Sequence, residues 1–237
     1  MIETHFGLRW IKFGHHNNHL NQRSLDLEPD DPQAHYNLGN ALTALGRIEE
    51  ATICLERATR IAPTFADALK SMAGRPPAFT HALDLGCGTG LSGLPFRTMT
   101  RRLTGIDLSE NMVAAARKKQ VYDDLRVDGV IEFLSATAER YDLVIATDVL
   151  IYIGALDELF GLIGRRTLED AVIVLSTEVT TEANYVLRSS GRYAHRDSYI
   201  RRLAGESGFA TCLCLPARIR KEAGLWIMGS LFILKKK

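Results

Sequence analysis

The chain has 237 residues, room for one large domain or two small ones. Its hydrophobic content of 46%, charged content of 24% and net charge of +1 describe an ordinary globular protein and give no electrostatic case for a nucleic-acid or membrane partner. Four cysteines, Cys54, Cys87, Cys212 and Cys214, form neither a disulfide framework nor a metal-ligand spacing in a chain of this length, so a reducing cytoplasm is the expected compartment. No signal-peptide core opens the chain, and its most apolar run, Leu225 to Leu234, is 10 residues, too short to cross a bilayer. Lys235-Lys236-Lys237 reads as a solvated tail.

In residues 1 to 30, His15, His16 and His19 lack cysteine or acid partners at ligand spacing and read as a polar surface. A period follows. Pro29 and Pro63 are 34 apart, as are Ala34 and Ala68, and Ser24 and Ala58. Such a period marks stacked helical hairpins. Gly46 supplies the turn between two helices, and Leu38, Leu42, Leu45 and Leu55 fill their seam. This pattern resembles the tetratricopeptide repeat. Residues 30–63 form the best repeat of a helical region expected over 1–74. The resemblance implies a surface for a protein partner or, equally, a structural cap.

Gly74-Arg-Pro-Pro77 ends the helical block as a short stiff link. A second domain is expected over 78–237, with strands and helices alternating. His81 to Leu85 reads as a strand, Leu91 to Arg102 as a helix, and Leu103 to Asp107 as a strand. A helix capped by Ser109 runs to Lys119. Leu125 to Val130 reads as a short strand and Ile131 to Ala138 as a helix; Tyr141 to Asp148 is a strand apolar enough to be buried on both faces. Helix Ala155 to Leu168, strand Ala171 to Ser176 and helix Asp197 to Ser207 follow. Strands Ala210 to Leu215 and Leu225 to Leu234 read as an antiparallel hairpin.

The first strand of this domain runs into Gly86-Cys-Gly-Thr-Gly90, and the second ends in Asp107. A strand, a glycine loop and a second strand ending in an acid make a nucleotide-type site. Gly88-Thr-Gly-Leu-Ser-Gly93 fits the dinucleotide fingerprint, which leaves an NAD(P)-dependent oxidoreductase as one reading. The frame starting at Gly86 is the better one, because the apolar strand then ends at Leu85.

In that frame, Leu83-Asp-Leu-Gly-Cys-Gly-Thr-Gly90, Ile106-Asp-Leu-Ser109 with Met112, and Asp142-Leu-Val-Ile-Ala-Thr-Asp148 resemble the class I S-adenosylmethionine-dependent methyltransferases. Gly191 to His195, Ser198-Tyr199 and Gly208-Phe209 look like the C-terminal region of bacterial members that carry N-terminal tetratricopeptide repeats. The resemblance implies an α/β, Rossmann-like sheet with an antiparallel last strand. It implies S-adenosyl-L-methionine as cofactor, held by Asp84, Gly86, Cys87, Gly88, Gly90, Asp107, Leu108, Met112 and Asp128. Asp107 is placed to accept the ribose hydroxyls, and Asp84 to orient the loop or meet the ammonium of the methionine arm. Leu108 and Met112 would pack on the adenine, whose amine Asp128 would meet. Methyl transfer requires alignment more than a dedicated base. No triad is visible; Asp148, Tyr152 and His195 are candidates for the reacting side, each with a structural alternative: a cap after the strand for Asp148, core packing for Tyr152, and capping or packing near the final helix for His195. Family members carry helices before the first strand, where only about ten residues separate repeat and strand here. Either the repeat helices replace that lid, or the chain is a non-catalytic interaction protein with a decayed cofactor domain.

Overall fold

The computed structural model describes Leu38, Leu42, Arg47, Glu50 and residues 78–222 and 225–237. The chain divides into two compact units, Met1–Thr64 with Ile219–Ile227 and Phe65–Arg218 with Met228–Lys237. In the first, Leu38 and Leu42 are helical, a turn apart and buried, as residues of a helix seam should be. The Arg47 N–H donates to the Leu42 carbonyl at 2.9 Å, and the Arg47 guanidinium grips Glu50 through two bonds of 2.7 Å. The readings of Gly46, Leu45, Leu55 and the early histidines lie outside the described residues.

The second unit is built on one sheet. Strands β1 (Phe79–Leu85), β2 (Thr100–Asp107), β3 (Asp124–Val127), β4 (Tyr141–Ala146) and β5 (Thr167–Val179) run parallel in the order β3-β2-β1-β4-β5. Leu83, Leu85, Leu143, Val144 and Ile145 are buried, because helices cover the parallel sheet and leave its central strands no solvent face. Those helices are α1 (Glu110–Lys118), α2 (Val130–Ala136), α3 (Asp157–Arg166) and α4 (Asp197–Glu206). Strand β8 (Phe209–Glu222) pairs with β9 (Leu225–Lys236), and β9 runs antiparallel to β5 from Val172↔Lys235 to Glu178↔Gly229. The expected antiparallel last strand is therefore present. Among the described residues, no helix is long and apolar enough to cross a membrane.

Four expectations need correction. The helix read from Leu91 to Arg102 is a six-residue 3-10 turn, Leu94–Met99, and β2 begins three residues early at Thr100. The buried residues of that turn, Phe96 and Met99, are three apart, a spacing that a 3-10 turn satisfies. The Arg97 guanidinium then binds Asp123 at 2.5 Å and the Thr100 and Arg101 carbonyls, fixing the exit into the strand. β5 and β8 are longer than their apolar cores, since ladder bonds continue where side chains turn polar. Two three-residue strands were not expected, β6 (Tyr185–Leu187) and β7 (Tyr193–His195); three residues offer no period to read. Lys236 is no solvated tail: it lies in β9 and its ammonium donates to Gly164 O, Thr167 O and Thr167 Oγ1 at 2.7–3.1 Å. Those carbonyls close the C-terminal end of α3, where a cation is favoured.

Candidate functional site

β1 stops at Leu85 because the next turn needs backbone that a side chain resists. Gly86, Gly88 and Gly90 have φ of 68°, 52° and 88°, all left-handed. A Cβ on Gly86 would lie 2.6 Å from Val149 Cγ2. One on Gly88 would meet nothing within 4 Å, so the loop presents Gly88 to open space. The Cys87 N–H donates to the Ile106 carbonyl at 2.8 Å, tying the loop to β2. The Cys87 thiol is buried, and desolvation pushes its pKa up, so it packs rather than reacts.

Asp107 closes β2 beside this loop. Its Oδ2 accepts the Gly88 N–H at 2.9 Å and its Oδ1 the Ser109 N–H at 2.8 Å. Each carboxylate oxygen keeps a second acceptor site. Burial raises the Asp107 pKa, against the two N–H donors that lower it. Ser109 caps α1, its hydroxyl accepting the Met112 N–H at 3.3 Å, which brings Met112 to the same rim. Leu108 is 77% exposed, an apolar side chain held in the open next to Asp107. Asp128 follows β3; its N–H donates to Asp107 O at 3.1 Å and its Oδ1 accepts the Gly129 N–H at 2.8 Å. The glycine loop, Asp107, Leu108, Met112 and Asp128 thus gather at the carboxyl ends of β1, β2 and β3, where open α/β sheets bind ligands.

Asp84 lies deeper. It is fully buried in β1 between Gly105 of β2 and Ile145 of β4. Its Oδ2 accepts hydroxyls from Ser92 and Tyr122, each at 2.6 Å. Its Oδ1 is buried with no partner among the described residues. Desolvation first, then the nearby Asp107 charge, push its pKa up to about 7, against the two hydroxyls that lower it. Sequence reasoning missed Ser92 and Tyr122. Tyr122 is 38 residues from Asp84, and no local motif announces it.

The other side of the site follows β4. Asp148 takes the left-handed conformation with φ 59°, which Asp tolerates better than most residues, and its N–H donates to Ser176 Oγ at 2.9 Å. Tyr152 is 50% exposed. Of the two readings of His195, the packing one fits its surroundings better than a base: it is fully buried in β7, and its Nε2 lies 2.9 and 3.0 Å from the carbonyls of Ile153 and Gly154. Two carbonyl partners require Nε2 to carry the proton and donate. Burial lowers the His195 pKa, so the ring stays neutral and fastens the turn after β4 to β7. It stacks on Tyr199 with centroids 6.4 Å apart, and Tyr185, 40% exposed, lies 6.1 Å from Tyr199 and from Tyr193.

A strand–glycine-loop–strand site on a parallel sheet with an antiparallel β9 defines a Rossmann-like class of fold, and comparison with known proteins shows what its central part is similar to. Residues 82–166 match the methyltransferase domain family and residues 32–65 the tetratricopeptide repeat. Residues 82–166 are thus similar to a methyltransferase domain and residues 32–65 to a tetratricopeptide repeat. It is 29% identical over 139 residues to the ubiquinone biosynthesis O-methyltransferase of Azorhizobium caulinodans, covering 53% of this chain and 55% of the relative. Against the protein of the same name from Methylocella silvestris it is 31% identical over 136 residues, covering 52% and 53%. The chain therefore spans about half the length of these relatives. Among solved structures, an S-adenosylmethionine-dependent methyltransferase from Clostridium acetobutylicum superposes with a TM-score of 0.60 at 14% identity, over 81% of this chain and 98% of that one. Magnesium protoporphyrin IX methyltransferase from Synechocystis, solved with bound S-adenosylmethionine, gives 0.56 at 18%, over 77% and 82%. These superpositions establish the fold.

Proposed function

We propose that this protein is an S-adenosylmethionine-dependent methyltransferase. The observation that carries the reading is the open glycine loop under Asp107. Gly88 leaves the space that a Cβ would fill, and Asp107 keeps acceptor capacity for a ribose diol after binding two N–H groups. Asp128 offers its second oxygen to the adenine amine, and Leu108 and Met112 offer the adenine an apolar face. Gly86, Cys87 and Gly90 give the loop its shape, and Asp84 holds that shape through Ser92 while placing a carboxylate beneath a cationic arm. Bound there, the ligand supplies a methyl group already activated on sulfonium. In this reading the chain aligns the acceptor with it, and Asp148 and Tyr152 on the loop after β4 are the candidates to meet the acceptor. The relatives are O-methyltransferases by name, so a hydroxyl is the first acceptor class to test. The tetratricopeptide segment would present a protein partner, and the free thiols of Cys87, Cys212 and Cys214 support a cytoplasmic setting.

The geometry speaks against a dinucleotide. That ligand needs an α-helix opening at the third glycine to receive its pyrophosphate. Gly93 instead opens the six-residue 3-10 turn, and its Cβ would strike Tyr122 Oη at 2.5 Å. A cationic sulfonium requires no such anion site. Calorimetry with S-adenosylhomocysteine tests the reading: saturable binding that Asp107→Ala weakens supports it, and absence of binding overturns it. Methyl transfer to a panel of hydroxyl acceptors then separates an enzyme from a cofactor-binding interaction protein.

A further inference from the structure

Tyr122 is surrounded by glycine. A Cβ on Gly90 would come within 3.0 Å of its ring, one on Gly105 within 2.7 Å, and one on Gly93 within 2.5 Å of its hydroxyl. Two of these belong to the loop and its exit, and the third to β2 directly opposite Asp84. Three positions on two elements thus lack side chains where this one ring lies. Its neighbours pin the segment from both sides. Val121 is buried in the core, the Asp123 N–H donates to Leu103 O at 2.9 Å, and Asp123 Oδ2 accepts the Leu103 N–H at 2.7 Å. Arg97 binds the same carboxylate. The hydroxyl delivered there donates to Asp84 at 2.6 Å and accepts the Gly93 N–H at 3.2 Å. It joins the start of the loop to its end.

We infer that Tyr122 is a positioning residue of the cofactor site, which holds Asp84 in the ionised form that a cationic methionine arm requires and so sets the pH range of binding. This rests on the S-adenosylmethionine reading above. Among the described residues, four polar side chains act on the buried Asp84. Ser92 and Tyr122 donate to its Oδ2; Cys87 and Asp107, both in the loop region, add no positive charge. Among the described residues no lysine or arginine is a partner of Asp84, and these two hydroxyls stabilise its charge. Removing one raises the carboxyl pKa further. A charge-assisted hydrogen bond of ordinary strength corresponds to about one pKa unit. The role also explains the third glycine that imitates a dinucleotide fingerprint: Gly93 makes room for the tyrosine hydroxyl.

The test is S-adenosylhomocysteine binding by Tyr122→Phe, followed by calorimetry from pH 6 to pH 8.5. The ratio of wild-type to variant affinity cancels the ligand's own titration. With Asp84 titrating near pH 7 and one unit higher in the variant, the ratio is about ninefold at pH 6, about fivefold at pH 7 and under about twofold at pH 8. Ser92→Ala, which leaves the ring in place, shifts the profile the same way. A loss that is constant with pH in both variants, or no loss, overturns the positioning role while leaving the cofactor reading intact. Absence of binding by the wild-type chain overturns both.

Discussion

The two halves of the site are built to opposite rules. Around the glycine loop, polar groups are buried or half-buried and bonded at short range: Asp84 through its Oδ2 with two hydroxyls, Asp107 with two N–H groups, the Cys87 N–H with β2. Past β4, the loop and the β6–β7 strands carry exposed apolar and aromatic side chains, Tyr152, Tyr185 and Leu187, the last 60% exposed. Buried, paired groups fix one ligand geometry, because a misplaced partner leaves a desolvated polar atom. Exposed side chains on short elements tolerate substitution and suit a partner that differs between relatives. Substitutions in the first half should therefore act on cofactor binding and fold together, and those in the second should separate the two.

The largest effect is expected at Gly86. Gly86→Ala forces a side chain into a left-handed backbone and against Val149, a combined cost of about 2–4 kcal/mol. S-adenosylhomocysteine binding should fall below detection, and chemical denaturation should show the stability loss. Adding Val149→Ala should recover only part of the clash, because the alanine Cβ still lies 2.8 Å from the added carbon, and should leave the backbone portion. Full recovery would show that the left-handed φ carries no cost. Asp107→Ala comes next. It leaves two N–H groups unmatched and removes the acceptor for the ribose, so calorimetry should show affinity lower by about a hundredfold. Asp107→Asn should lose less, because one oxygen still accepts.

Asp84→Asn separates fold from function within the first half. Native Asp84 holds its proton up to about pH 7, whereas the unfolded chain releases it near pH 4. The native state binds more protons between these values, so this group's contribution to stability is present at acid pH and lost as pH rises through 7. Asparagine still accepts both hydroxyls and has no charge to bury. Melting curves should show the variant gaining on wild type from pH 5 to pH 8, by an amount on the order of a few kcal/mol, while ligand binding weakens. A stability difference that does not change with pH would show that Asp84 ionises normally.

The same contrast governs what the sequence reveals. β1, β4 and the glycine loop are legible because buried parallel strands are apolar and the turn demands glycine. Asp107 is legible because it ends a strand at a fixed distance from the loop. Tyr122 is not: its partners are Asp84 on one strand and glycines on two other segments, and only the folded sheet brings them together. The helix expected over Leu91 to Arg102 fails because helix propensity is a weak prior, which the burial of Phe96 and Met99 and the grip of Arg97 on Asp123 override. His195 is legible in the sequence as a packing residue, but its partners are not, since the carbonyls that capture it belong to a turn 41 and 42 residues away.

In the second half, His195→Ala should therefore cost stability and spare the cofactor. Losing a buried ring and its bonds to Ile153 and Gly154 should reduce stability by about 2–3 kcal/mol, with S-adenosylhomocysteine affinity within about twofold of wild type. An imidazole resonance that titrates normally between pH 6 and 7 would contradict the buried neutral ring. The smallest effects are expected at Tyr152. Half of its surface faces solvent, so Tyr152→Ala should change stability by no more than about 0.5 kcal/mol and leave S-adenosylhomocysteine affinity within about twofold. Its consequence should appear only with an acceptor present, as a raised KM with kcat less affected, because a side chain that contacts the acceptor in ground and transition states alike contributes uniform binding. A variant that lowers kcat and leaves KM unchanged would instead place Tyr152 at the reacting atoms, and the second half would then be as tightly built as the first.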